Sequence, residues 1–223
     1  WSYRRFKKLH LLHHADERLT DPFDDPESYY MAVWKYEKLP AWFKAVLRVN
    51  NTLAGRFILN PLLGSFGLMA MDFKAALNGD RHVIDAWARH LAAAVIVAAV
   101  VQFVLGIPFW LYLIVPCWIG QSIIAIRTYA EHQWHESPEG RTIIVERSPL
   151  SILFLNNNLH LVHHKLPTAP WYRLPLLFAE RRDEWMALNK GYVFPNYLAL
   201  VKQWAFKAKE PVAHPVLRRG PEA

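Results

Sequence analysis

The chain has one cysteine, Cys117, among 223 residues. A single thiol can form neither an internal disulfide nor a thiolate metal cluster, so any metal site must use other side chains. Also missing is a run of five or six Lys or Arg, or any recognisable nucleic-acid module. The formal charge of +7 therefore does not mark a nucleic-acid partner. Arg4, Arg5, Lys7 and Lys8, the densest basic cluster, suit an anionic membrane surface better. The first residues lack the charged, apolar and small-residue segments of a secretory signal, and Trp1 stands where Met would start a protein. The expectation is a numbering that begins inside a longer chain.

Charge is absent over a long stretch. Residues 91–126 contain no Asp, Glu, Lys, Arg or His, and only Gln102, Gln121 and Ser122 break the apolar run. A helix crosses the hydrocarbon core with about 20 apolar residues, range roughly 17–25, so this stretch is too long for one span and long enough for two short ones. Gly106-Ile107-Pro108 near its middle disfavours helix. Two spans are expected, about 87–105 and 109–127, joined by a tight turn. A buried hairpin in a soluble protein is the competing reading, but it would be expected to show a charged face. Arg81, Arg89 and His90 precede the stretch and Arg127 follows it, with Arg141 and Arg147 beyond, while the turn is uncharged. The positive-inside rule then places both flanks in the cytoplasm. Ten Trp and nine Tyr fit a protein that meets a membrane interface.

Residues 53–77 are apolar too, but Arg56 interrupts them and Asn60-Pro61 is expected to break them. An interfacial or re-entrant segment is predicted there, with a crossing helix kinked at Pro61 as the alternative. The tail from Lys207 is polar and contains Pro, which predicts loose order. The fold class expected is all-α: an integral membrane helical hairpin with a cytoplasmic helical cap. Residues 1–180 form the domain, and 181–223 a C-terminal cytoplasmic extension.

Eight of the eleven histidines fall into three groups. These are His10-Leu11-Leu12-His13-His14, His132-Gln133-Trp134-His135 and His160-Leu161-Val162-His163-His164. The first and third share the spacing HxxHH. At about 100° per residue, positions i, i+3 and i+4 of a helix lie within roughly 100° of arc, so three imidazoles leave one face together. A hairpin with both ends inside brings all three groups to one membrane side, whereas a single span would separate the first from the rest. Imidazole suits zinc, copper, iron and nickel. Seven or eight such ligands exceed the four of one tetrahedral zinc, which favours two metals. No HExxH is present, so a zincin protease is unsupported. No helical Glu-x-x-His pair is present either, so the carboxylate-rich di-iron bundle does not fit. A histidine-rich di-iron site remains.

The chain resembles the membrane fatty acid desaturase superfamily, which includes acyl-lipid desaturases and related hydroxylases, ketolases and monooxygenases. The resemblance is carried by Arg5-Phe6-Lys7-Lys8-Leu9-His10-Leu11-Leu12-His13-His14, by Arg127-Thr128-Tyr129-Ala130-Glu131-His132, and by residues 156–167 from Asn156-Asn157-Asn158 to Pro167. Pro170-Trp171-Tyr172-Arg173-Leu174-Pro175 is also family-like. It implies that His10, His13, His14, His132, His160, His163 and His164 are iron ligands, with His135 lacking a firm counterpart. It further implies two iron ions, O2 as co-substrate, a lipid or fatty acyl substrate, and no catalytic residue beyond the metal centre. The family's earlier HxxxH or HxxxxH box has no match before His10, which again predicts a preceding segment. No flavin, nicotinamide or iron–sulfur motif is present, so an external donor of ferredoxin, rubredoxin or cytochrome type is implied.

Around the boxes, Asp21, Asp25, Glu131 and Asn157 are candidates to orient ligand imidazoles. Against this, the aspartates can serve an Asx-Pro turn, Glu131 can pair with Arg127, and one of Asn156–Asn158 can cap the box helix. His82, His90 and His214 stand alone and read as surface or interface residues. The expected function is desaturation of an aliphatic lipid chain. Hydroxylation, ketolation or another monooxygenase reaction of the same superfamily is the alternative, and a non-catalytic metal-binding membrane protein is the reading from another class.

Overall fold

The computed structural model of the chain describes residues 2–14, 18–218 and 220. Helix α1 (Tyr3–His13) is followed by short α2 (Val33–Glu37) and α3 (Ala41–Asn50). The apolar sequence then forms three long helical stretches. Helix α4 (Leu53–Leu77) begins where the Thr52 hydroxyl accepts the Gly55 N–H at 3.0 Å. Helix α5 (Arg81–Ala99) begins where Asp80 accepts from the His82 and Val83 N–H groups. Both caps satisfy amides that a helix start leaves unpaired. Helix α5 continues as a π-helical turn, Val100–Val104, after which Gly106 (φ +66°) and Pro108 reverse the chain. The return runs through α6 (Phe109–Tyr112), a second π-helical turn at Leu113–Cys117 that accommodates Pro116, and α7 (Trp118–Glu131).

By length and composition, Leu53–Leu77, Arg81–Val104 and Phe109–Glu131 can each cross a membrane. The helical fold expected from the sequence thus has three helices that qualify among the described residues, where two were foreseen. Val95, Phe103, Trp110 and Ile114 stand exposed on them, an apolar surface of the kind a bilayer covers. Asn60-Pro61 does not break α4. Pro61 is buried and lines a cleft with Leu113, Cys117 and Gln121, and this tertiary packing keeps the helix continuous.

Each end of α4 is tied to an element that leads to the histidines. Leu53 packs with Tyr129 and Ala130 of α7, and the Ala54 N–H donates to the Ala205 carbonyl at 2.9 Å. Near the other end, buried Asp72 accepts from Arg5 Nε of α1 (2.7 Å) and from Trp87 Nε1 of α5 (2.8 Å). Ser2 Oγ donates to the Ala86 carbonyl, and Arg4 pairs with Asp85. The start of α1 is therefore fastened to the α4–α5 corner.

Beyond α7 the chain builds a small mixed layer. Strands β1 (Ile144–Val145) and β2 (Val193–Phe194) pair in parallel, Ile144 opposite Val193. Helices α8 (His160–Lys165), α9 (Leu174–Glu180), α10 (Arg182–Leu188) and α11 (Tyr197–Trp204) surround them. Ile144, Leu161, Val162, Leu174, Phe178 and Trp185 form one buried cluster behind α8. Tyr129, Ile143, Phe154, Tyr192, Leu200 and Trp204 form another between α7 and α11.

The tail departs from the expected looseness. Met31 N donates to Val212 O (2.8 Å), and His214 N donates to Met31 O (3.0 Å). His214, expected near the surface, is fully buried between the rings of Tyr30 and Trp134. Burial beneath the segment that follows α1 orders residues whose composition alone suggested none.

Removing the Asp72 carboxylate would leave Arg5 buried without its partner, which costs on the order of 3–5 kcal/mol. Asp72→Ala should lower the melting temperature of the detergent-solubilised chain markedly. Asp85→Ala, which breaks exposed pairs with Arg4 and Arg89, should change it little.

Candidate metal centre

Three elements deliver the imidazoles. Helix α1 carries His10 and His13, with His14 as its C-terminal cap. Helix α7 ends at Glu131, and His132 leaves it in extended backbone (φ −129°, ψ 148°). Helix α8 carries His160, His163 and His164. The HxxHH spacing does locally what helix geometry requires, and the fold then sets the two box helices against each other.

The seven imidazoles meet as two interleaved groups. His13, His132, His160 and His164 are all buried, and His10, His14 and His163 are half-buried; within each group the candidate ligand atoms lie within 4.8 Å of one another. Both boxes contribute to both groups. The His14 and His164 rings, one from each group, stack at 4.5 Å, so the groups adjoin. His135 lies outside both, its Nδ1 accepting the Ser137 N–H at 3.0 Å.

The spacing of the nitrogens tests whether metal ions fit. His160 Nε2 is 3.0 Å from His132 Nε2 and 3.2 Å from His164 Nε2, and His14 Nε2 is 3.2 Å from His10 Nε2. With metal–imidazole bonds of about 2.0–2.1 Å, nitrogens of one coordination sphere lie roughly 3.0–3.4 Å apart. His163 Nε2 is buried with no hydrogen-bond partner among the described residues, an arrangement that a ligand role explains. The donor set fits two imidazole-bound metal ions.

The other ring nitrogens are held from behind. His13 Nδ1 donates to Asp25 Oδ1 (2.8 Å), and Asp25 is itself fixed by the N–H groups of Thr20 and Glu27. His160 Nδ1 donates to Asn157 Oδ1 (3.0 Å), Asn157 Nδ2 donates to Glu131 Oε1 (2.9 Å), and Arg127 pairs with Glu131 at 3.0 Å. His10 Nδ1 donates to Glu27 Oε1 at 2.9 Å. A carboxylate or amide behind an imidazole fixes its tautomer and raises its basicity as a ligand. Glu27 escaped the sequence reading; its signal was its place two residues after Asp25 in the same acidic turn. Asp21 Oδ1 accepts the Phe23 N–H in an Asx turn. The cap expected among the three asparagines is instead Leu159, with no side-chain hydrogen bond. Asn158 Nδ2 binds the Val145 carbonyl and Asn156 Nδ2 the Trp171 carbonyl.

Electrostatics keep most of these rings ready to bind a cation. Burial, with nearby imidazoles adding to it, pushes His14 down to about 4 and His163 down to about 3. The same causes hold His132 and His160 well below the ordinary histidine value. These rings are neutral at neutral pH, the form that ligates metal. His13 moves the other way: burial lowers it, but the hydrogen bond and charge of Asp25 raise it overall.

Because Asp25 and Glu27 back different groups, their loss should be separable. Asp25→Asn should weaken metal binding at the buried group, and Glu27→Gln at the half-buried one, each by roughly 10–100-fold. Equilibrium dialysis with Fe2+ under anaerobic conditions would read both affinities.

The fatty acid desaturase family model matches residues 1–195. No curated protein and no solved structure matches the chain. The matched region holds all seven histidines together with Asp25, Glu27, Glu131 and Asn157, the residues that build and back the two groups. The chain belongs to the fatty acid desaturase family.

Proposed function

We propose that the protein is an integral membrane, multi-pass, di-iron oxidoreductase that uses O2 to desaturate a fatty acyl chain, with its histidine boxes on the cytoplasmic side. The observation that carries this reading is the interleaving of seven imidazoles into two adjoining groups. The ligands would be His13, His132, His160 and His164 for one iron, and His10, His14 and His163 for the other. When bound, the irons supply the O2 chemistry that attacks an unactivated C–H bond.

The chain's own residues do the rest. Asp25, Glu27 and Asn157 orient the rings, and the buried group keeps water from half of the centre. The half-buried group is the side open to an arriving substrate. Desaturation takes two hydrogen atoms, that is two protons and two electrons, from the acyl chain, and two electrons with two protons from elsewhere, to convert O2 into two waters. The second electron pair comes from an external donor of ferredoxin, rubredoxin or cytochrome type. Lys7 and Lys8, exposed on the box helix itself, offer an acidic donor an attractive surface.

Lipids from cells expressing the full-length gene should contain an added double bond that is missing from cells expressing His163→Ala. A hydroxyl or keto product lost in the same variant would reassign the reaction within the superfamily. A purified protein that bound zinc alone, and consumed no oxygen when given a reductant, would overturn the oxidative reading.

A further inference from the structure

Residues 196–223 lie beyond the family match, yet part of this segment reaches the metal centre from behind. We infer that Lys209 and Glu210 are positioning residues for the buried metal group, acting through His132. The inference rests on the reading of the histidines as ligands.

Helix α7 stops one residue before His132, and the carbonyls of its last turn have no intrahelical partners. Lys209 Nζ, on a half-buried residue, donates to the Tyr129 carbonyl (2.8 Å), to Tyr192 Oη (3.2 Å) and to the His132 carbonyl. The rings of Tyr29, Tyr129, Tyr192 and Trp204 stand 5.0–6.0 Å from the ammonium. A cation at this end of a helix also complements its dipole. Glu210 holds the next residues: Oε1 accepts the Trp134 N–H (3.1 Å), which also reaches Tyr30 Oη (2.8 Å). Glu210 Oε2 is 2.5 Å from Tyr29 Oη, which is in turn 2.9 Å from the His132 carbonyl. Tyr29 has one proton, and the carboxylate is the stronger acceptor. Lys209 is therefore the standing donor to His132.

The pair is anchored independently. Lys209 N donates to Asn51 O at 3.3 Å, and Asn51 Nδ2 donates to the Glu210 carbonyl. With its carbonyl pinned on one side, the extended His132 turns its imidazole to the other, where Nε2 comes within 3.0 Å of His160 Nε2. His132 Nδ1 has no hydrogen-bond partner among the described residues, so its backbone is the only part held in the way Asp25 holds His13 through the ring.

Co2+ titration of the full chain in detergent, followed by its visible d–d absorption, tests this. The wild type should bind two ions per chain. Lys209→Met should bind one ion as before and the ion of the buried group roughly 10–100-fold more weakly, with altered bands. The substitution should add no further loss when His132 is already Ala, because the two act as a unit. Unchanged affinities and bands in a folded Lys209→Met, or an equal further loss in the His132→Ala background, would overturn the inference. Where Lys209→Met does not fold, Glu210→Gln must show the same selective weakening, and its failure to do so would count equally against the pair. A wild type that bound no Co2+ would instead refute the ligand reading itself.

Discussion

Two imidazole nitrogens that face each other at 3.0–3.2 Å, both with lone pairs, repel unless a cation or a proton sits between them. Burial and neighbouring rings disfavour a second proton on most of these imidazoles, so the arrangement suits a bound metal cation. That constraint organises the fold around it. Helix α1 cannot retreat because Arg5 is locked to Asp72 at its far end. Helix α8 cannot retreat because the β1–β2 pair and the Leu161–Trp185 cluster stand behind it. The His132 carbonyl is met, where α7 ends, by the Lys209 side chain from the C-terminal tail.

The two groups differ in a way that bears on chemistry. One has four imidazoles, all buried; the other has three, all half-buried. A closed group suits retention of a cation, and an open one suits exchange of what else it binds. Mixing both boxes into both groups makes neither α1 nor α8 dispensable for either. Any movement of one box helix would disturb both groups at once.

Much of the centre was legible because its determinants are local. HxxHH sets three rings on one helical face whatever surrounds it. Asp25 and Asn157 could be singled out because each lies within a few residues of a box or within the turn that follows one. Glu131 answers to both readings weighed for it, pairing with Arg127 and reaching toward His160 through Asn157. What escaped is non-local. The course of α4 through Pro61 depends on packing against α7. Arg56 is tolerated because its guanidinium lies over the rings of Tyr29 and Tyr129. Lys209 meets His132 from 77 residues away and Glu210 meets Tyr29 from 181, so no period or motif in a polar, Pro-containing tail could announce them.

The fastening of α4 at both ends limits how the chain can sit in a bilayer. His13 lies against His132, so residues 13 and 132 share one side of any membrane, and the complete passages between them must number zero or two. Three helices qualify by length, yet an odd tally is forbidden. At least one of the three therefore makes no complete passage, and α5 and α7 are joined by an uncharged reversal. Helix α4 starts beside the foot of α7, runs along it past Pro61 and Gln121, and finishes beside α1. Its apolar length then serves as a beam that couples α7 to α1, so that neither of the two surfaces on which the histidine helices stand can shift without the other.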